Sequence, residues 1–354
     1  MAINADVHAP QQWELAIGEE IALGTAQTTA ASFKLLHIIH HGSVALSGLT
    51  RDTTQRARGQ RVMHTQDVYL TKAGGQVSLP FVAIATSATL DYLLYLVIQD
   101  LVSEAASTPF AKVFEWDSAT TQPDFAAISG AASPGKLVTL LQRGPIASEH
   151  RRLTSAILRE LTLRLDPPLN GGRLTCEGTF WSGLSNAFSP SQNQSITGAT
   201  QPGTAYYHFA TLATKTLGGS DLVLGGFELR LENRAARVGS DASGDAQTYA
   251  LGVPGYRATG SVTVKYDDNT KDTIDNFLTS AFDTQLVLAW GSGADPVTTD
   301  GDLLIKLNVN FAGNAFDFGR EDGVFLTLPF VCVDDGTNEA VEIEIANAAD
   351  RAWS

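Results

Sequence analysis

Few residues in this sequence have the types and spacing needed for chemistry, and the clearest are three histidines near the N-terminus. His37, His40 and His41 lie in the segment HIIHH, which has the composition of a strand. Alternation along a strand puts His37 and His41 on one face, where two imidazoles could bind a metal. No cysteine or carboxylate pair lies near enough to complete a ligand set. We interpret them as surface histidines and predict no metal site.

A second candidate is an acidic segment that resembles a calcium loop only superficially. Asp267, Asp268, Asn269 and Asp272 offer oxygen ligands, but Lys271 stands among them, and the required glycine and terminal glutamate are missing. Helix capping explains these residues better. No phosphate loop, His-Glu-x-x-His helix or nucleophile elbow is present. We therefore predict no catalytic residues, no cofactor and no enzyme.

The acidic segment is part of a strand–helix–strand unit that runs from Gly255 to Trp290. Apolar residues alternate from Tyr256 to Tyr266, which predicts a half-buried strand. Apolar residues at helical spacing predict a short helix that ends at Asp283, and alternation then resumes through Leu288. The acidic residues supply the turn and the N-cap between strand and helix.

The same unit occurs again between Gly75 and Trp116, which indicates an internal duplication. The aligned positions keep their order along the chain: Val77, Leu79 and Phe81 with Val262, Val264 and Tyr266; Leu90, Leu93 and Leu94 with Ile274, Phe277 and Leu278; Phe114 and Trp116 with Leu288 and Trp290; Ser43–Leu49 with Gly226–Glu232; Lys136–Leu141 with Asp302–Leu307; and the strand pair from Leu161 with that from Leu326. The alternative is that any two β-rich halves look alike at a period of two residues.

The length of 354 residues fits two domains of ordinary size. We predict an all-β protein with short flanking helices, built as two tandem β-sandwich or half-barrel domains. The first domain spans 1–190, with an N-terminal arm and an Arg-rich loop at 50–62. A linker at 191–205 follows, in a stretch of linker composition (FSPSQNQSITGATQPG), and the second domain spans 206–354.

Composition and charge exclude several classes of protein. The chain is 44% hydrophobic and 18% charged, which is typical of a folded soluble domain. No secretory signal and no membrane-spanning run is present, so we expect a protein that stays in the cytoplasm where it is made, with Cys176 and Cys332 as buried thiols. The net charge of −14 argues against a protein that binds nucleic acid tightly, because such proteins need positive charge to neutralise phosphates.

One basic segment, RDTTQRARGQR, stands against this acidic average. Its four arginines, Arg51, Arg56, Arg58 and Arg61, fall in a long connection between two predicted strands. The segment could be a solvated loop. It could instead be an arm that pairs with acidic residues of a second copy of the chain, such as Asp334, Asp335 and Glu339. Nucleic acid is the least favoured of the three interpretations.

Several segments together resemble the tail tube proteins, or major tail proteins, of long-tailed bacteriophages, from about Glu14 to Asn347. They are WELAIGEEIALGT, GSVALSGL, VSLPFVAIATSATLDYLLYLV, LTLRLDPPLNGGRLTCEGTF, FELRLENR, GYRATGSVTVKYDD and LTLPFVCVDDGTNEAVEIEIANA. The resemblance implies a β-sandwich or half-barrel tube domain that self-assembles into stacked rings. Those rings form the virion tail tube, the conduit for genome delivery, which is assembled in the cytoplasm of the host bacterium.

Usual members of this family form hexameric rings of single domains. A chain with two domains departs from that pattern, and the resemblance then implies trimeric rings with pseudo-sixfold symmetry. It also implies contacts with a tape measure protein, a tail terminator and baseplate proteins, no membrane, and DNA that crosses the lumen without specific binding. The Arg51–Arg61 arm is our candidate for contact between rings, with Arg234 and Arg237 as a weaker second. An acidic lining would repel phosphates.

Three alternatives stay open at this point. Another phage structural protein, from the capsid or baseplate, would share the architecture. A duplicated carbohydrate-binding sandwich would more often expose aromatic residues, whereas Trp13, Trp116, Trp181 and Trp290 adjoin predicted elements. A β-type glycoside hydrolase would need two carboxylates across a cleft.

Overall fold

The computed structural model describes most of the chain. The described residues are 13–22, 24–42, 45–52, 69–99, 101–116, 136–144, 150–167, 170–182, 188–190, 193–203, 205–233, 235–238, 248–251, 256–268, 270–272, 274–275, 283–311, 313, 315–317 and 323–348.

The N-terminal half holds eleven of the described strands and the α-helix. They are β1 (Glu14–Glu19), β2 (Phe33–Leu35), β3 (Ile38–His41), β4 (Ala45–Asp52), β5 (Tyr69–Ile84), α1 (Leu90–Ile98), β6 (Ser103–Glu104), β7 (Phe110–Trp116), β8 (Val138–Arg143), β9 (Arg151–Leu165), β10 (Thr175–Ser182) and β11 (Phe188–Pro190).

The C-terminal half holds the other eleven described strands. They are β12 (Leu212–Leu217), β13 (Ser220–Asp221), β14 (Leu224–Glu232), β15 (Ala235–Val238), β16 (Thr248–Leu251), β17 (Arg257–Lys265), β18 (Thr284–Trp290), β19 (Leu303–Phe311), β20 (Ala315–Asp317), β21 (Phe325–Cys332) and β22 (Val341–Asn347). The fold is all-β, as the sequence predicts.

The strand–helix–strand units are confirmed in both halves as far as they are described. β5, α1 and β7 occupy the first unit, and β17 and β18 occupy the second. The second helix is helical at 271–272 and 274–275, and the rest of its predicted span lies outside the described residues. Asp267 caps it, because its carboxylate accepts a hydrogen bond from the Thr270 amide (3.2 Å) while its own amide donates to the Thr270 hydroxyl (3.2 Å).

Eight strands form one continuous antiparallel layer that runs through both halves. Its order is β4–β5–β10–β9–β14–β17–β21–β20, and β3 also pairs with β5. The two halves meet in this layer at β9 and β14, where Leu163 lies opposite Leu229. The layer thus crosses the proposed linker without a break in hydrogen bonding.

Most of the remaining strands form a second layer over the first, and β15 and β16 form a separate hairpin. In the N-terminal half the order is β2–β1–β8–β9–β11, and in the C-terminal half it is β13–β12–β18–β19–β22. β22 also pairs along its whole length with β7 of the first half, and β7 carries the short β6. α1 packs against β7, β9 and β14.

A bulge in β9 allows this strand to serve both layers. Its first part pairs with β8 and β11, and its last part pairs with β10 and β14. Ser155 lies close to the point where β9 passes from one layer to the other, and it has a left-handed φ of 50°. The buried Glu20 carboxylate holds this conformation by accepting from the Ser155 amide and hydroxyl (both 2.8 Å) and from the Thr139 hydroxyl (2.6 Å). Burial is the main cause that raises the pKa of Glu20.

The core is one contiguous cluster that draws on both halves. Alternate residues of the long layer face it, among them Leu161, Leu163 and Leu165 of β9 and Leu229 of β14, which are fully buried. Trp116 of the first half stacks on Tyr256 of the second, with ring centroids 4.7 Å apart. The two halves are therefore packed together, as well as joined by strands.

The predicted thiols and part of the predicted linker have defined positions. Cys176 on β10 and Cys332 on β21 are buried free thiols, as expected, and burial raises the pKa of both. Phe188–Pro190, which the prediction places at the end of the first domain, forms β11 just before the predicted linker. Ala199 is buried against β1 and β2, and the Thr200 carbonyl accepts from the Leu35 amide (2.9 Å).

Within the described residues, none of the helices has the length and apolar character required to cross a lipid bilayer.

Candidate functional site

The most distinctive surface is the polar side of the eight-stranded layer. On β14, β17 and the last part of β9 the residues that alternate with the core positions are mostly polar or charged, as in Glu160, Thr162 and Arg164 of β9. Directly opposite them on β14 lie Glu232, Arg230 and Glu228 in turn. Cross-strand partners share a face, so charges of the two halves meet on one surface. We call this surface the polar face.

The polar face carries both signs of charge among the described side chains. Its carboxylates are Glu160, Glu177, Glu228 and Glu232, and its basic groups are Arg159, Arg164, Arg230, Arg257 and Lys265. Arg164 lies opposite Glu228, and Arg257 lies opposite Glu232. The excess acidity of the chain therefore does not come from the described side chains of this face.

Arg230 is the centre of the closest ion pairs on the polar face. Its Nη2 lies 2.6 Å from Oε2 of Glu160 on β9 and 2.7 Å from Oε1 of Glu232 on its own strand. Glu160 also accepts a hydrogen bond from the Thr179 hydroxyl of β10 (3.1 Å). The hydrogen bond that Arg230 donates to Glu160 is the main cause that raises the pKa of Arg230. The guanidinium is thus held between two carboxylates at the junction of the halves.

The polar face is concave where the two halves meet. A groove of about 480 Å³ runs over β5, β10, β9 and β14, with charged walls that include Glu177, Arg164 and Glu228. A second hollow of about 470 Å³ lies next to it, around Arg159, Trp181 and Arg257. The Arg159 guanidinium lies 5.1 Å from the Trp181 ring. The walls of the groove also include the apolar residues Pro80, Phe81 and Val82 of β5.

The outermost strands of the layer have edges open to a partner. Within the described residues, β4 pairs with β5 alone and β20 pairs with β21 alone. Open strand edges present backbone donors and acceptors that another chain can pair with. These two edges lie at opposite ends of the same eight-stranded layer.

The predicted basic arms are only partly described. Arg51 lies near the end of β4, opposite Leu70 of β5, whereas Arg56, Arg58, Arg61 and Arg234 lie outside the described residues. Arg237 lies in the hairpin of β15 and β16, opposite Tyr249. In both halves, therefore, the basic residues fall at or within the stretch of sequence that joins two paired strands, β4 to β5 and β14 to β17.

The predicted acidic partners lie together in the turn between β21 and β22. Asp335 accepts from the amides of Thr337 and Asn338 (both 2.7 Å), and these bonds help to lower its pKa to about 2, with the Asn338 backbone bond the largest cause. Asp334 accepts from the Gly336 amide (2.7 Å). Both carboxylates are thus engaged in turn formation, and Glu339 follows in the same turn. Within the described residues, the structure does not bring them to the arginines.

Sequence reasoning missed the charges of the polar face. The signal was present in the alternation of ELTLRL on β9 and FELRLE on β14, which sets charges on one side and leucines on the other. The sequence pattern could not show that these two strands lie next to each other in the sheet. Elsewhere, the structure places His37 against Tyr206, with ring centroids 5.5 Å apart, in keeping with a packing role.

Comparison with known proteins decides the family. A family model described as phage tail tube protein matches residues 11–332, which is nearly the whole chain. This chain belongs to the phage tail tube protein family. A comparison with curated protein sequences found no match. The tail tube chain is accordingly a structural component of the virion tail that self-assembles into a tube.

Proposed function

We propose that this tail tube chain contains two copies of one β fold and that three chains close each ring of the tube with pseudo-sixfold symmetry. The strand pairing of the two halves supports the duplication. In the first half the pairing order is β1–β8–β9–β10–β5–β4. In the second it is β12–β18–β19–β21–β17–β14, and the strands follow one another along the chain in the same sequence.

This correspondence differs in part from the alignment of the sequence. Pairing matches β8 with β18, β9 with β19 and its continuation β20, β10 with β21, and β11 with β22. The sequence alignment instead placed β7 over β18 and β9 over β21. Every half-buried strand has the same alternating pattern, so matching a strand to the wrong neighbour changes the quality of the sequence alignment very little. The pairing leaves β6 and β7 as an insertion of the first copy, and the boundary at 191–205 falls between matched strands.

The ring follows from the open edges, and this observation carries the proposal. Inside the chain, β9 of the first copy pairs with β14 of the second. The counterpart of β9 is β19 with β20, and the counterpart of β14 is β4. Pairing β20 of one chain with β4 of the next repeats the internal junction between chains. Three repeats of a head-to-tail contact close a circle with no open edge left in the inner layer.

The polar face forms the wall of the lumen in this arrangement. The opposite face of the same layer is buried in the core beneath the second layer. Only the polar face is left to contact water inside the ring. The phage genome passes along it during ejection, and no base-specific contact is required.

Rings stack through the basic arms. The two ends of a closed ring differ, so stacking is heterologous and continues into a tube. The Arg51–Arg61 segment is the principal contact, and Arg234 and Arg237 on the equivalent hairpin form the second. The turn that contains Asp334, Asp335 and Glu339 is the acidic partner. A tape measure protein, a tail terminator and baseplate proteins complete the tail at its inside and its two ends.

Proline variants of β20 test the ring closure. The backbone amides of neighbouring residues in a strand point to opposite sides. Of the two variants Ala315→Pro and Phe316→Pro, one therefore removes an amide from the open edge of β20, and we call it the edge variant. The other removes an amide that faces β21. We expect the edge variant to keep the thermal transition of the native chain and to lose ring formation in negative-stain micrographs. Rings formed equally by both variants would contradict the proposal.

A further inference from the structure

The tail tube chain must let a polyanion pass along a wall that contains arginines. The polar face holds four arginines in its described part, and any of them could bind a phosphate, since arginine forks match phosphate geometry well. A wall that bound phosphates at many points would hold the duplex back. The arrangement of carboxylates around these arginines therefore has a consequence for passage.

Arg230 shows the arrangement most clearly. Both of its carboxylate partners lie within 2.7 Å of one guanidinium nitrogen, one from each copy of the proposed fold. Glu160 is itself oriented by the Thr179 hydroxyl of the next strand (3.1 Å). Arg164 and Arg257 have Glu228 and Glu232 as their direct cross-strand neighbours.

These ion pairs contribute little to folding. The Arg230 side chain is 47% exposed and the Glu160 side chain is 35% exposed. Exposed ion pairs are screened by water and salt and change stability only slightly. Their position on a water-facing wall points to an effect on what the wall binds.

We infer that Glu160 and Glu232 mask Arg230 from the phosphates of duplex DNA, so that this part of the lumen wall does not hold the genome. The inference rests on the proposed function for the position of the polar face inside the ring. The sequence led us to expect an acidic lumen lining, whereas this inference assigns paired charges to the lining. The acidic excess of the chain does not come from the described side chains of this face.

The test compares the binding of a short fluorescent DNA duplex to four forms of the full chain. These are the native chain, Glu160→Gln with Glu232→Gln, the same pair with Arg230→Gln added, and a control that loses the same charge away from the polar face, Asp221→Asn with Asp300→Asn. Assembled tubes are measured by co-sedimentation at low salt, and unassembled chains by fluorescence anisotropy.

We expect the Glu160/Glu232 variant to bind the duplex at least about tenfold more tightly than the native chain and the control, and the triple variant to lose that gain. The added binding should weaken with salt, with a slope of about one per engaged arginine. Equal binding by the Glu160/Glu232 variant and the control would overturn the inference. So would a triple variant that binds as tightly as the double variant.

The same experiment separates this inference from the proposed function. Micrographs of the native chain report whether rings form, independently of DNA. If rings are absent, ring closure fails, while the anisotropy of the unassembled chains still tests the masking of Arg230. If rings form and binding is unchanged by the carboxylate substitutions, only the masking fails.

Discussion

At the scale of single residues, Asp335 shows how a predicted interaction site can carry a local structural role. Its carboxylate accepts hydrogen bonds from two backbone amides and from the Asn338 side chain (2.9 Å) in the turn before β22. Such Asx-type turns are sufficient reason for an aspartate at this position. Any contact with an arginine of another ring would add to this role.

The turn predicts a defined pH dependence of stability. The pKa of Asp335 falls from 3.8 to about 2 on folding, so its contribution is complete above pH 4 and is lost as the pH falls from about 4 to 2. Asp335→Asn should therefore flatten the change in melting temperature between pH 2 and 4. Asp221→Asn, the same substitution at an exposed position of β13, serves as the control. An unaltered slope in Asp335→Asn would contradict this role.

Single residues also mark the limit of prediction from sequence. The burial of Cys176, Cys332, Trp116 and Trp290 follows from alternation and is confirmed. Asp91 interrupts the longest apolar run of the chain, and its partners could not be foreseen. Asp91 is fully buried against Lys112. Asn347, which follows Asp91 by 256 residues in the sequence, contacts both side chains. Pairing at such distance depends on the topology, which periodicity does not contain.

At the scale of elements, this polar cluster joins α1, β7 and β22. The Lys112 ammonium lies 2.7 Å from the Asp91 carboxylate and 3.0 Å from the Asn347 amide oxygen. Asn347 donates in turn to the Ser87 carbonyl (2.9 Å) and to Asp91 (3.0 Å). The first half thereby binds the last strand of the second through a buried ion pair as well as through the β7–β22 ladder.

Removing one member of the pair should destabilise the chain strongly. Lys112→Met leaves the buried Asp91 carboxylate without its cation, which costs about 3–5 kcal/mol of unfolding free energy. Adding Asp91→Leu removes the uncompensated charge, so the double variant should be more stable than the sum of the single variants predicts. Urea unfolding of the four chains measures this coupling. Additive effects would contradict a direct pair.

Elements were predicted better than their partners. The β5–α1 and β17–β18 units were recognised because alternation and helical spacing are local. The pairing of β9 with β14, on which the polar face depends, joins segments about 70 residues apart and has no local signal. The bulge at Ser155 was also missed, since its cause is the distant Glu20 carboxylate.

At the scale of the whole molecule, the basic arms should affect stacking and leave folding unchanged. Replacing Arg51, Arg56, Arg58 and Arg61 by Ser removes four charges from the proposed arm, so we expect the melting temperature to stay within a few degrees of the native value. Tubes should shorten to single rings at the same protein concentration and salt. Arg164→Ser with Arg257→Ser, on the polar face, is the control. Tubes of native length in the arm variant would contradict this assignment.

The symmetry of the ring tests the central claim most directly. Cryo-electron microscopy of tubes assembled from the full chain measures the number of chains per ring and the strands that meet between them. We predict that each ring contains three chains, has threefold symmetry and shows six similar lobes. We also predict that β20 of one chain pairs with β4 of the next. Rings of six chains, or monodisperse monomers at high protein concentration, would contradict it.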